Sequence, residues 1–155
     1  MTRVLFICHG NICRSPMAEY VMKELTRRSG LAEAFIIDSA ATSREELGNG
    51  VHPGTRRKLA AEGIPCGNHR ARQLERGDYD RFDCLIGMDR QNLSNMARLL
   101  GGDPKGKLHL LLEYTGSGRD IADPWYTGNF DATYRDVLAG CTALLEHCRM
   151  GRAQQ

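Results

Sequence analysis

Val4-Leu5-Phe6-Ile7-Cys8-His9-Gly10-Asn11-Ile12-Cys13-Arg14-Ser15-Pro16 is the stretch that decides the fold. Val4–Cys8 is an unbroken apolar run, the pattern of a strand buried on both faces of a parallel sheet. Ser15-Pro16 reads as a helix start, with serine as N-cap and proline at the first helical position. Met17, Val21, Met22 and Leu25 then recur at helical spacing, and Gly30 can end the helix. A short loop thus joins the end of one strand to the start of one helix.

The alternation continues along the chain. Phe35–Ser39 reads as a second strand, followed by a long polar and glycine-rich loop over 41–54. Thr55–Glu62 is a short helix, ended by Gly63. Phe82–Met88 reads as the third strand. Asp89 can cap a helix whose apolar positions are Leu93, Met96, Ala97 and Leu100. Lys107–Leu112 reads as the fourth strand, and 113–128 as a second long loop. The last helix carries Phe130, Tyr134, Val137, Leu138, Cys141, Leu144, Leu145 and Cys148 on one side. Strands alternating with helices predict an α/β fold, a three-layer sandwich around a four-stranded parallel sheet. The expected strand order is 2-1-3-4, flavodoxin-like, in a single domain over 1–150 with a polar tail at 151–155. Sites in such sheets sit beyond the carboxyl ends of the strands. That directs attention to 8–15, 39–54, 88–92 and 113–128.

The 155 residues suffice for one domain with a real core, and 41% apolar with 26% charged residues is an ordinary globular balance. The longest apolar run falls short of a secretory signal core of roughly 7–15 residues and of a membrane span of about 20. A cytoplasmic protein is expected, with no membrane partner. A net charge of +2 without a basic stripe gives no reason to expect nucleic acid. The six cysteines include no C-x-x-C pair, so neither a zinc ribbon nor a dithiol redox motif is expected.

The loop Cys8-His9-Gly10-Asn11-Ile12-Cys13-Arg14-Ser15 has the form C-x5-R-S. A loop curled about one point aims successive backbone N–H groups at it and makes an anion nest, and the helix N-terminus adds positive charge. Arg14 can fork onto two phosphate oxygens. Gly10 lets the backbone turn, and Ser15 can donate its hydroxyl to the Cys8 sulfur. The same field favours a Cys8 thiolate. C-x5-R also occurs at Cys66/Arg72 and Cys84/Arg90 in this chain of 17 arginines. Cys66 follows a helix, and the stretch after Cys84 is mostly strand and contains Asp89, which would repel phosphate. Only Cys8 stands at a strand end before a helix start. For a thiolate attacking a phosphate monoester, Asp123 in Ala122-Asp123-Pro124-Trp125-Tyr126 is the best candidate acid. Trp125 and Tyr126 offer flat surfaces to an aromatic ring. An ordinary Asp-Pro turn explains the same residues equally well.

Five pieces in order carry a resemblance over nearly the whole chain: Cys8 through Glu19, Asp38-Ser39-Ala40-Ala41-Thr42-Ser43, His69-Arg70-Ala71-Arg72-Gln73, Met88-Asp89 and Asp123-Pro124-Trp125-Tyr126. They resemble the low-molecular-weight protein tyrosine phosphatases. The resemblance implies that Cys8 is the nucleophile, that Arg14 binds phosphate and that Asp123 is the general acid. It implies a phosphate cradle from His9, Gly10, Asn11, Ile12, Cys13, Arg14 and Ser15. It also implies that Asn11, Ser15, Ser39 and His69 form a hydrogen-bond network supporting the loop. Asp89 is read as a helix cap and left out of the catalytic set.

These roles imply hydrolysis of phosphotyrosine-type aryl esters in protein substrates through a phosphocysteine, with no cofactor and no metal, by a monomer or weak dimer. They predict a bell-shaped pH–rate profile with an acidic optimum, since Asp123 must be protonated while Cys8 is ionised. Cys13 is either a redox partner for Cys8, which the resemblance supports, or packing beneath the loop. Ile12, Glu45, Trp125 and Tyr126 are expected to line the substrate slot. The family usually has an aromatic residue where Glu45 stands, and a carboxylate there disfavours acidic flanks. Three rivals remain. An arsenate reductase on the same scaffold needs a cysteine relay, and Cys84 has no second cysteine before Cys141. A phosphoarginine phosphatase resembles this family with threonine in place of Ile12. A phosphopeptide-binding module would lack turnover.

Overall fold

The computed structural model describes residues 1–153, with side chains through residue 151. Its elements are β1 (Thr2–Cys8), α1 (Arg14–Arg28), β2 (Phe35–Ala41), α2 (Pro53–Ala61), α3 (Asp78–Arg81), β3 (Cys84–Gly87), α4 (Arg90–Leu100), β4 (Leu108–Leu110), α5 (Pro124–Thr127) and α6 (Phe130–Ala153). The four strands are parallel, as the alternation predicted, and run in the expected order β2-β1-β3-β4.

Alternate side chains of β1 feed two cores. Val4, Phe6 and Cys8 join Ile37 and Ile86 under α1, α2 and α6, where Met17, Val21, Leu59, Val137, Cys141 and Leu144 are buried. Leu5 and Ile7 join Ala40 and Leu85 under α4, whose Met96 is fully buried. Burial on both faces is why β1 reads as a continuous apolar run rather than an alternating one. In register, Cys8 pairs with Ala41, Ile7 with Gly87 and Gly87 with Leu110. The strands therefore end together, and the loops after them crowd one edge.

Several boundaries differ from the sequence reading. β2 runs two residues further, to Ala41. α2 starts at Pro53, with His52 as its cap. β3 begins at Cys84: Phe82 caps α3, and Asp83 is tied to Arg3 by a 2.7 Å bond from the Arg3 amide. It ends at Gly87, because the Met88 amide turns to Asn92 Oδ1 (3.0 Å). β4 is cut to Leu108–Leu110, since the Glu113 carboxylate accepts the Leu110 amide (2.7 Å) and draws Leu111–Thr115 into a 3₁₀ turn. α6 continues to Ala153, into the stretch read as a polar tail. Gln154 and Gln155 lie outside the described residues. Among the described residues no helix is long and apolar enough to cross a membrane.

Candidate active site

The loop between β1 and α1 is held from outside by its carbonyl groups. The Cys8 carbonyl accepts the Thr42 amide (3.0 Å), and the His9 carbonyl accepts the Ser43 amide (3.0 Å) and hydroxyl (2.9 Å). The Ile12 carbonyl accepts the His52 amide (2.8 Å), and the Cys13 carbonyl accepts the Thr55 hydroxyl (3.2 Å). A trans peptide points its N–H opposite its C=O. Outward carbonyls therefore turn the amides of His9, Gly10, Cys13 and Arg14 toward the loop centre, the geometry of an anion nest. Asn11 takes φ +61° to close the curl, a left-handed conformation that asparagine tolerates better than most residues.

At the centre stands Cys8, 3% exposed. Its sulfur accepts the amides of Asn11 (3.3 Å) and Ser15 (3.4 Å), and lies 3.0 Å from Ser15 Oγ. Asn11 Nδ2 donates to that same Oγ at 2.8 Å, which leaves the Ser15 hydroxyl proton for the sulfur. Three donors thus converge on one sulfur. This corrects the sequence reading of Ser15 as N-cap. α1 begins at Arg14, Cys13 holds the cap position without a side-chain cap bond, and the Ser15 hydroxyl and amide serve sulfur. Pro16 falls within the first turn, where its missing N–H breaks no helical bond.

The supporting residues lie behind the loop. Asn11 Oδ1 accepts from His69 Nε2 (2.7 Å) and from the Arg72 amide (3.3 Å). Ser39 Oγ lies 3.2 Å from His69 Nε2 and donates to Glu19 Oε1 at 2.6 Å. His69 Nδ1 faces Glu19 at 3.4 Å and Asp38 at 3.6 Å. Asn11, Ser15, Ser39 and His69 are thus connected. Glu19, which the sequence reading omitted, is a further member, buried at 2% exposure.

Arg14 is 2% exposed. Its Nη1 donates to Asp89 Oδ2 (2.7 Å) and to the Ile121 carbonyl (2.9 Å), and its Nη2 lies 3.4 Å from Asp123 Oδ2. Burial works against its charge, but Cys8, Asp89 and Asp123 outweigh burial and raise it above the usual arginine range. Nε is buried and has no protein partner, an orphan donor beside the thiol that an anion would satisfy. Asp89 therefore meets the site after all. Its Oδ1 caps α4 through the Asn92 amide (2.7 Å), as the sequence suggests, while Oδ2 holds Arg14. The decoy arginines are engaged elsewhere: Arg72 with Asp78 (3.0 Å), Arg90 with the Gly118 carbonyl (2.8 Å).

A cleft of about 100 Å³ is lined by Cys8, Ile12 and Cys13. His9, Glu45, Glu46, Asp123, Trp125 and Tyr126 also line it. His9 Nε2 pairs with Glu45 Oε2 at 3.0 Å. Asp123 caps the single turn of α5 by accepting the Trp125 amide at 3.0 Å. Tyr126 is 82% exposed, at the rim. Burial, then the neighbouring Cys8, pushes the Cys13 thiol up to about 12. Cys84 is far from this chemistry: it pairs with Val4, four residues back along β1, and burial pushes its thiol up to about 12.

A buried thiol in an anion nest, an arginine with an orphan donor and an acid on the facing loop define a phosphate-handling cysteine site. The sequence pattern of the family "low molecular weight phosphotyrosine protein phosphatase" matches residues 3–154, and the chain belongs to that family. It is 39% identical over 147 residues to the low molecular weight protein-tyrosine-phosphatase YfkJ of Bacillus subtilis, covering 94% of each chain. The YfkJ crystal structure superposes with a TM-score of 0.94 over 97% of this chain and 96% of that one. A low molecular weight phosphotyrosine protein phosphatase of Pongo abelii is 38% identical, with 92% of this chain and 93% of the relative covered. A Drosophila arginine phosphatase structure is also similar, at 33% identity and a TM-score of 0.84, covering 95% of this chain and 97% of that one.

Proposed function

We propose that this protein hydrolyses aryl phosphate monoesters, phosphotyrosine in proteins above all, through a phosphocysteine on Cys8. The observation that carries the reading is the convergence of the Asn11 and Ser15 amides and the Ser15 hydroxyl on the Cys8 sulfur, beside a buried Arg14 with a spare donor. The thiolate attacks phosphorus in line. Arg14 and the inward amides of the loop hold the equatorial oxygens as charge builds on them. Asp123 gives its proton to the leaving phenolic oxygen. The phosphorus–oxygen ester bond breaks as the sulfur–phosphorus bond forms. Water then attacks the phosphocysteine with Asp123 taking its proton, and inorganic phosphate and the thiolate are restored.

Asn11, Ser15, Ser39 and His69 keep the loop in shape. Ile12, Glu45, Trp125 and Tyr126 flank the phenyl ring. The enzyme works in the cytoplasm, as a monomer or weak dimer. The test is phosphate release from p-nitrophenyl phosphate in the presence of a chelator, comparing the native chain with Cys8→Ser and Asp123→Asn. Cys8→Ser is expected to lose activity by about 10³-fold or more. Asp123→Asn should slow esters with poor leaving groups most. Binding without turnover would leave a phosphopeptide-binding module. Arsenate-dependent oxidation of a thioredoxin would favour the reductase, and phosphoarginine cleaved faster than phosphotyrosine would shift the substrate class.

A further inference from the structure

His52 connects the two halves of the cleft, and nothing in its chemistry as a surface-loop residue accounts for that placement. Its amide donates to the Ile12 carbonyl of the phosphate loop at 2.8 Å. Its Nδ1 accepts the Gly54 amide at 2.9 Å and so caps α2. Its ring stacks on Phe130, with centroids 5.4 Å apart and planes at 24°. The same ring meets Trp125 edge-on at 5.8 Å and 80°. Phe130 is seated by a missing side chain: a Cβ on Gly54 would come within 2.3 Å of its ring. Phe130 also packs against the cluster of Ile12, Cys13 and Ala71.

The segment held in this way is the one that bears the acid. Asp123 and Phe130 flank α5, a single turn of four residues that contains Trp125. One turn cannot sustain itself, because helix nucleation is unfavourable without outside contacts. Trp125 is 57% exposed, and its indole meets the His52 ring edge-on. Asp123 Oδ1 accepts the Trp125 backbone amide at 3.0 Å, which ties the carboxylate to the backbone that carries the indole.

Resting on the phosphatase reading above, we propose that His52 is a positioning residue that fixes the acid-bearing segment 123–130 against the phosphate loop. It acts through Trp125 and Phe130 and touches neither phosphorus nor the leaving oxygen.

The test uses two variants and two esters. His52→Asn keeps an acceptor for the Gly54 amide and removes the ring. His52→Phe keeps a ring and removes the acceptor. Phenyl phosphate has a poor leaving group and needs the proton of Asp123, whereas p-nitrophenyl phosphate needs it far less. For His52→Asn, kcat/KM should fall about tenfold on phenyl phosphate and about threefold or less on p-nitrophenyl phosphate, part of the full general-acid contribution. Competitive inhibition by inorganic phosphate should be unchanged. Emission of Trp125, the single tryptophan of the chain, should move to the red. His52→Phe should restore that emission and most of the phenyl phosphate rate, even with a lowered Tm. An equal fall on both esters, or a fall in Tm with the ester ratio and emission unchanged, would overturn the proposal and leave His52 as a helix cap. Failure of the native chain on both esters would instead sink the phosphatase reading beneath it.

Discussion

Arg14 Nη1 lies 2.7 Å from Asp89 Oδ2, and the other oxygen of the same carboxylate caps α4 at 2.7 Å. One side chain thus fixes the helix after β3 and the guanidinium after β1. Asp89→Asn keeps an oxygen for the cap and removes the charge that holds Arg14. A charge-assisted bond of this kind gives an expected loss in kcat/KM of about 10–100-fold with α4 intact. Asp89→Ala should in addition lower stability by about 1 kcal/mol, the usual size of a lost cap. Steady-state kinetics and urea melts on both variants separate the two roles.

Asn11 does two things that glycine and alanine divide. Its backbone sits at φ +61°, and its side chain links Ser15 to His69. Asn11→Ala meets both penalties, and we expect a stability loss of about 2–3 kcal/mol. Asn11→Gly relieves the backbone and should recover part of the Tm while activity stays low. Equal activity in Asn11→Gly and the native chain would show that the side-chain network is dispensable.

Cys13 stays a neutral thiol across physiological pH, since burial and the nearby Cys8 push it up to about 12. Iodoacetate should therefore modify Cys8 well before Cys13, with activity lost in step with the first carboxymethyl group. Peptide mapping at partial inactivation checks this. Phosphate should protect Cys8 by occupying the loop.

The lining of the cleft is acidic. Glu45, Glu46 and Asp123 are among the residues lining it, and no lysine or arginine lines it among the described residues. Matched phosphotyrosine peptides with lysine or aspartate flanks should differ in kcat/KM by about tenfold at low salt, lysine favoured, and the gap should narrow at high salt. Glu45→Gln should narrow the gap between the two peptides further. A preference for aspartate flanks would contradict this reading of the lining.

The sheet was legible because strands buried on both faces spell unbroken apolar runs, and β1 is the plainest of them. The phosphate loop was legible because its residues are contiguous. What escaped was competition between partners for the same atom. Ser15 has the identity of an N-cap, but the Cys8 sulfur takes its hydroxyl. Glu113 shortens β4 by drawing on the Leu110 amide. Asp89 advertises a cap, and nothing local reveals that its second oxygen reaches an arginine 75 residues earlier. His52 is further from view still, since the rings that define its place come from Trp125 and Phe130.

The central claim is a covalent bond between phosphorus and Cys8. The most direct test mixes enzyme with p-nitrophenyl phosphate, quenches with acid within the first turnovers and maps the peptides by mass. The account predicts one phosphoryl group on the peptide carrying Cys8, absent in Cys8→Ser, and a higher trapped fraction in Asp123→Asn, where water attack on the phosphocysteine lacks its base. Phosphate release from the native chain with no phosphoryl group on Cys8, or undiminished release from Cys8→Ser, would contradict it.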